Sequence, residues 1–182
     1  FADAFTFKLR YRFYDYDNKS DHLVFDAYVR YHGVYEDIGR ETPDYAYSRD
    51  TLSADLGWEI GKDHRLGLEY RMDGMDRDFR EVESADDDVL RFTYDGRFSS
   101  TMSLRATAEL GDRSTSEYDY FAEEYSFTEH GVPSQNPDLR RYDEAERDYE
   151  RYNVTVEWLP AEGWSVAAGI DTRQDEYDES IL

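Results

Sequence analysis

Apolar residues alternate with polar ones along much of this chain. Phe5, Phe7, Leu9, Tyr11 and Phe13 are separated by Thr6, Lys8, Arg10 and Arg12. A period of two puts one set on each face of a strand. The pattern returns at Leu52, Ala54, Leu56, Trp58 and Ile60, at Leu66, Leu68, Tyr70 and Met72, and at Leu90, Phe92 and Tyr94. It returns again at Met102, Leu104, Ala106, Ala108 and Leu110, at Tyr152, Val154, Val156 and Trp158, and at Trp164, Val166, Ala168 and Ile170. A weaker run from Leu23 to Tyr31 keeps Phe25, Ala27 and Val29 in register. Helical spacing fits poorly: a stripe from Leu66 would join Glu69 and Tyr70, mixing charge into an apolar surface. Pro43, Pro133, Pro137 and Pro160 all fall between these runs, where proline is tolerated. The pattern predicts an all-β chain, an antiparallel up-and-down meander of about eight strands with essentially no helix.

The links between the runs alternate in length. Short ones are Asp15–Asp21, Gly61–His64, Asp95–Ser100 and Leu159–Gly163, and long ones lie at about 33–44, 73–88 and 111–150. Tight turns at one end and extended loops at the other mark an outer-membrane barrel. Strands of about 9–11 tilted residues suffice to cross a bilayer.

The two registers differ sharply. The clear apolar runs hold no Asp, Glu, Lys or Arg, whereas the intervening positions carry Lys8, Arg10, Arg12, Asp55, Glu59, Glu69, Arg71, Arg91, Arg105, Glu109 and Glu157. A lipid-facing Arg or Lys costs roughly 2–4 kcal/mol at the bilayer midplane, while a lumen-facing one meets water or a plug. Lys8, Arg10, Arg12, Glu69, Arg71, Arg91, Arg105, Glu109 and Glu157 are therefore the candidate lumen-facing partner contacts. A soluble antiparallel sheet with one face on a core gives the same alternation. Two details favour the membrane. Trp58, Trp158 and Trp164 all lie on the apolar register near short turns, as in an interfacial aromatic girdle. The low mean hydropathy, −0.92, comes largely from acidic loops rather than from the strand faces.

Composition narrows the field further. The 182 residues include 43 Asp+Glu against 21 Lys+Arg, a formal charge of −22. Such charge usually signals disorder, but 16% aromatic content argues against it, because disordered chains lack aromatics. An acidic chain also makes a poor ligand for nucleic acid phosphates. The absence of cysteine removes disulfides, thiolate metal sites, cysteine nucleophiles and covalent c-type haem attachment. The first run begins near the first residue, and Arg173–Leu182 after the last is polar. Residues 1–182 are therefore expected to form one segment of a larger, incomplete barrel.

Several segments taken in order resemble the MtrB/PioB family of decahaem-associated outer-membrane proteins. They are Tyr11-Arg12-Phe13-Tyr14-Asp15-Tyr16-Asp17-Asn18, Tyr45-Ala46-Tyr47-Ser48-Arg49, Leu68-Glu69-Tyr70-Arg71 and Arg77-Asp78-Phe79-Arg80-Glu81. Ser116-Glu117-Tyr118-Asp119-Tyr120, the stretch from Leu139 to Asp148, and Gln174-Asp175-Glu176-Tyr177-Asp178-Glu179-Ser180 continue the series. The resemblance implies an integral barrel of the bacterial outer membrane, embedded in its lipid. In its lumen the barrel would sheathe a periplasmic multihaem c-type cytochrome, with an outer-surface cytochrome completing the conduit. Haem would then sit on the partner and none on this chain, and the barrel would serve extracellular electron transfer without being an enzyme. Read from the residues alone, a general or substrate-specific porin shares the fold, since a porin interior is polar too. A soluble acidic β-protein stabilised by calcium is the second alternative.

The remaining motifs have plain readings. Asp15, Asp17 and Asp21, with Asn18 and Ser20 between them, are weak metal candidates, superficially like a calcium loop. They lack the glycine and the closing glutamate of an EF-hand, and Asp-Asn-x-Ser is also ordinary turn chemistry. Asp86-Asp87-Asp88 reads as a solvated loop. The charge-alternating stretch Asp138–Arg151 reads as a long loop returning into a strand. His22, His32, His64 and His130 sit at run ends or in links without metalloprotease spacing, and no phosphate loop or nucleophile elbow occurs.

Overall fold

The computed structural model describes residues 4–21, 23–25, 28–29, 35–36, 40–41, 46–77, 80–118, 139–140, 144–178 and 180–181. Seven long strands form one antiparallel sheet in simple chain order: β1 (Ala4–Tyr16), β2 (Tyr47–Ile60), β3 (His64–Arg77), β4 (Ser84–Ser99), β5 (Met102–Thr115), β6 (Arg147–Trp158) and β7 (Val166–Tyr177). No helix occurs among the described residues. The meander is open, since β1 and β7 form its two edges.

The expected all-β meander is thus present, with seven long strands. The described residues of the weak run Leu23–Tyr31 do not join the sheet. Its described pieces, Val24–Phe25 and Tyr28–Val29, pair locally with Arg40–Glu41 and Tyr35–Glu36. The reason lies in β1, which is matched along its whole length to β2, from Ala4 opposite Glu59 to Tyr16 opposite Tyr47. Aromatic contacts secure both ends: Phe5 stacks on Trp58 at 5.6 Å, and Tyr14 and Tyr16 meet the Tyr47 ring at 5.6 and 5.4 Å. No gap remains for an intervening strand.

This pairing moves the 15–21 link to the other end of the sheet. Residues 17–46 connect β1 to β2 on the side where 78–83 and 116–146 make the other extended connections. The opposite side carries tight turns at 61–63, 100–101 and 159–165. Gly61 and Gly163 supply the left-handed conformations those turns use, with φ of 68° and 79°. The strands also run further than the apolar pattern. β3 and β4 take up much of the 73–88 span expected as an outer loop, and β5 and β6 trim both ends of 111–150. Most of the 33–44 loop lies outside the described residues.

The sheet is a single layer. Its buried apolar residues are few: Val82, Ala85, Val89, Ala145 and Tyr149. All belong to the charged register or to the connections at the extended-loop end. There Arg80 of one connection pairs with Glu144 of the next at 2.9 Å. The apolar register is uncovered, with Phe7 68%, Ile170 70% and Trp164 69% exposed. A soluble sandwich would lay a second sheet on that face. An apolar surface of this extent in water is instead the signature of an interaction or membrane surface.

Candidate functional site

Strand alternation sorts the side chains onto two walls. One wall carries every Lys and Arg of the seven strands. All nine candidate contacts, Lys8, Arg10, Arg12, Glu69, Arg71, Arg91, Arg105, Glu109 and Glu157, stand on it. Cross-strand register lines up Lys8, Asp55, Glu69, Arg91, Glu109, Arg151 and Arg173 across the whole sheet, with opposite charges side by side except at Asp55–Glu69 and Arg151–Arg173. Arg91 bridges two carboxylates, donating from Nε to Glu109 at 2.7 Å and from Nη1 to Glu69 at 3.0 Å. Arg105 donates to Asp95 at 2.6 Å.

The rest of this wall escaped the sequence reading. Arg49 holds Asp73 through two nitrogens, at 2.8 and 2.5 Å, and Thr51 donates to the same carboxylate at 2.8 Å. Arg113 grips Asp87 from Nε and Nη2, while Arg147 lies between Asp87 and Asp175, 3.7 Å from each. Arg151 and Asn153 both donate to Asp171, and Arg173 binds Asp175 through two bonds. Bidentate, half-buried pairs of this kind have fixed geometry, unlike isolated surface pairs. Tyr149 sits at the centre. Its hydroxyl donates to Glu109 at 2.7 Å, and the Arg147 and Arg173 guanidiniums lie 5.1 and 4.5 Å from its ring centroid. Asp87, expected in a solvated loop, is thus a strand residue with two arginine partners.

One row on this wall is small: Thr6, Gly57, Gly67, Thr93 and Thr107 lie abreast across five strands. A shallow trough runs along it, rimmed by Lys8, Asp55 and Glu69 on one side and Arg65 and Asp95 on the other.

The second wall is a belt of large apolar side chains between two rims. At the tight-turn rim Trp58 stacks on Phe5, and His64 stacks on Tyr94 at 6.0 Å, with its Nδ1 2.9 Å from the tyrosine hydroxyl. Trp158 and Trp164 sit on the same rim, the latter within the 159–165 turn. At the opposite rim tyrosines meet acids on the same face. Tyr11 donates to Asp50, Tyr70 to Asp88 at 2.8 Å and Tyr152 to Glu150 at 3.0 Å. Beyond the belt the charged residues of this face are all acidic, and Asp88, Asp112, Asp148 and Glu176 stand directly abreast on four strands. Burial, then the hydrogen bond and charge of Asp148, raises the pKa of Asp112 at this tier.

An apolar belt with an aromatic rim, a charged reverse face and extended connections at one end together describe a transmembrane barrel wall. The family model described as "Putative outer membrane beta-barrel porin, MtrB/PioB" matches residues 1–182. The chain belongs to the MtrB/PioB family. No curated protein matches it. The family places the barrel in the outer membrane, where an uncharged belt is the face suited to lipid and an ion-paired wall the face suited to a lumen.

The acidic link after β1 takes another form from a metal loop. Asn18 Oδ1 accepts from the Ser20 amide at 3.1 Å, and Asp17 pairs with Lys19 at 3.4 Å. This is an Asx turn. Asp15 lies one residue before the end of β1, on the belt register, and the structure brings Asp15, Asp17 and Asp21 into no metal-holding group among the described residues.

Proposed function

We propose that this MtrB/PioB chain forms part of a bacterial outer-membrane barrel that sheathes a multihaem c-type cytochrome for trans-outer-membrane electron transfer. The observation that carries the reading is the asymmetry of the wall. One face is left to lipid, and the other is a pre-ordered guanidinium and carboxylate surface, rigid enough to hold a protein in register. The resemblance to decahaem-associated barrels names that protein's class. A chain without cysteine attaches no c-type haem, so its contribution is insulation and alignment, and its role is non-enzymatic.

A porin is the second reading, favoured by the hydrophilic lumen wall and by the porin description of the family. The two differ in what fills the lumen. The intact protein extracted in mild detergent is expected to carry a haem-staining partner and to pass little current in planar bilayers. A haem-free preparation with large, steady conductance would replace the sheath with the porin.

A further inference from the structure

We propose that the apolar belt carries a furrow for one acyl chain of a periplasmic-leaflet phospholipid, laid along β5 over Ala106 and Ala108. This goes beyond the sheath reading and holds whatever fills the lumen. The belt is not even. Ala106 lies between Tyr94 and Val154, and Ala108 between Phe92 and Tyr152, on the two neighbouring strands. Leu104 and Leu110 follow the alanines at either end along β5. The hollow above them has a volume of about 530 Å³ and reaches Leu66 and Leu68 on β3. The tyrosines that could fold over it are tethered elsewhere. Tyr94 leans along its own strand toward the tight-turn rim, where a Cβ on Gly96 would collide with its hydroxyl. It stacks there on His64, whose Nδ1 is 2.9 Å from that hydroxyl. Tyr152 is drawn the opposite way by its bond to Glu150 at 3.0 Å. Between the two tethered rings the alanine floor stays open.

Depth and charge choose the occupant. Ala106 and Ala108 stand four and six residues beyond Met102, where β5 leaves its tight turn. That is about 13–20 Å along the strand. At a strand tilt of about 35–45° it becomes about 10–15 Å of height, the middle of an apolar band about 25 Å tall. The medium there is hydrocarbon, and the tight turns mark the periplasmic side. From that side the way into the furrow passes Met102 and Leu104 and meets no carboxylate on this face. From the other side it passes Asp88, Asp112 and Asp148, abreast just beyond Leu90 and Leu110. Those carboxylates repel the phosphates of an outer-leaflet glycolipid. A chain lying in the furrow meets apolar side chains on three sides instead of one, and gains dispersion contacts a flat belt does not offer. Side chains already tethered lose little further freedom when it enters.

The test uses the intact barrel protein, washed in mild detergent until its phospholipid content is constant. Ala106→Leu combined with Ala108→Leu fills the furrow with a residue the belt already uses. Ala54→Leu, on the same face of β2 between Leu9 and Tyr70, is the control. Heat-modifiable gel migration confirms that each variant is folded. Two readouts are taken: the retained lipid, identified and counted by mass spectrometry, and the thermal midpoint of stripped barrels as palmitoyl-oleoyl phosphatidylethanolamine is added back. Wild type and control are expected to keep about one phospholipid more per barrel than the double variant, and to bind the added lipid about tenfold more tightly. Equal counts and equal midpoint shifts in wild type and double variant overturn the proposal. A retained glycolipid that the double variant loses also overturns it, because the chain then comes from the outer leaflet. A loss shared by Ala54→Leu overturns it too, since the belt as a whole would then hold the lipid. The sheath reading stands or falls separately, on the haem-staining partner.

Discussion

The ring of Tyr149 occupies the space above Gly111, the residue directly opposite it on the lumen face. A Cβ on Gly111 would lie 2.5 Å from the tyrosine Cζ, well inside contact distance. An aromatic ring laid over a cross-strand glycine covers backbone that a side chain would otherwise shield. The ring is also clamped from above by Arg147 and Arg173 and tied to Glu109. Gly111→Ala is therefore expected to expel the ring and to cost about 1–3 kcal/mol in a denaturant titration of the folded barrel. Tyr149→Phe keeps the cover and loses only the hydrogen bond to the Glu109 carboxylate, at about 1.5–3 kcal/mol. A Gly111→Ala variant as stable as the wild type would show that the ring is free to move aside.

The two faces call for opposite responses to charge. Phe92 lies in mid-belt between Leu68 and Ala108, and Thr107 projects from the other wall beside Thr93. Phe92→Arg is expected to destabilise folding into lipid vesicles by roughly 2–4 kcal/mol, since the guanidinium would face hydrocarbon. Thr107→Arg adds the same group to a wall already built of guanidinium and carboxylate, and should cost far less. Equal penalties at the two sites would mean that both faces meet protein, and the membrane assignment would fall.

Much of this was legible in the sequence because the belt is regular. From Leu52 to Ile60 or from Met102 to Leu110, alternation gives strand, face and the position of Trp58 together. Two features broke the pattern. Beyond the belt the lipid-side register turns from apolar to acidic, so Asp86 and Asp88 read as loop although β4 continues through them. The same change hid the start of β4 and the ends of β3 and β7, and with them Asp87, Asp73, Arg173 and Asp175. The other break was pairing. Leu23 to Tyr31 alternates as well as some true strands, but Val24 and Tyr28 make its second face partly apolar too. Only the full-length match of β1 with β2 shows that no strand of the run lies between them. Tyr149 could have been found, since it lies two residues from Arg151 and Arg147 on the charged register.

Asp87 joins β4 to β5 and β6 through Arg113 and Arg147. Removing its charge leaves two guanidiniums side by side, one of which keeps Asp175 and one of which loses its bidentate partner. Asp87→Asn is expected to cost about 1–3 kcal/mol in unfolding, the scale of a hydrogen bond to a charged group. It should also raise the anion preference of a partner-free barrel, read as a reversal potential across a salt gradient. Asp87→Asn without either change would mean that neighbouring acids compensate fully.

The acidic tier above the belt should make the barrel more stable in mild acid than at neutral pH. Asp88, Asp112 and Asp148 face one another across three strands, and like charges directly opposed in a sheet are destabilising. Burial and the Asp148 carboxyl raise the folded-state pKa of Asp112 above its unfolded value. The sign follows from that direction. A raised carboxyl binds its proton more tightly when folded, so its contribution is fully present below the unfolded pKa and is lost as pH rises through the folded one. Asp112→Asn holds the site neutral at every pH. It is expected to raise the neutral-pH unfolding midpoint by less than about 1 kcal/mol equivalent, the scale of an exposed cross-strand pair. It should also flatten the loss of stability between acidic and neutral buffer. A wild-type barrel whose stability instead rises steadily with pH over this range would show that the lumen ion pairs, and not this tier, govern its acid response.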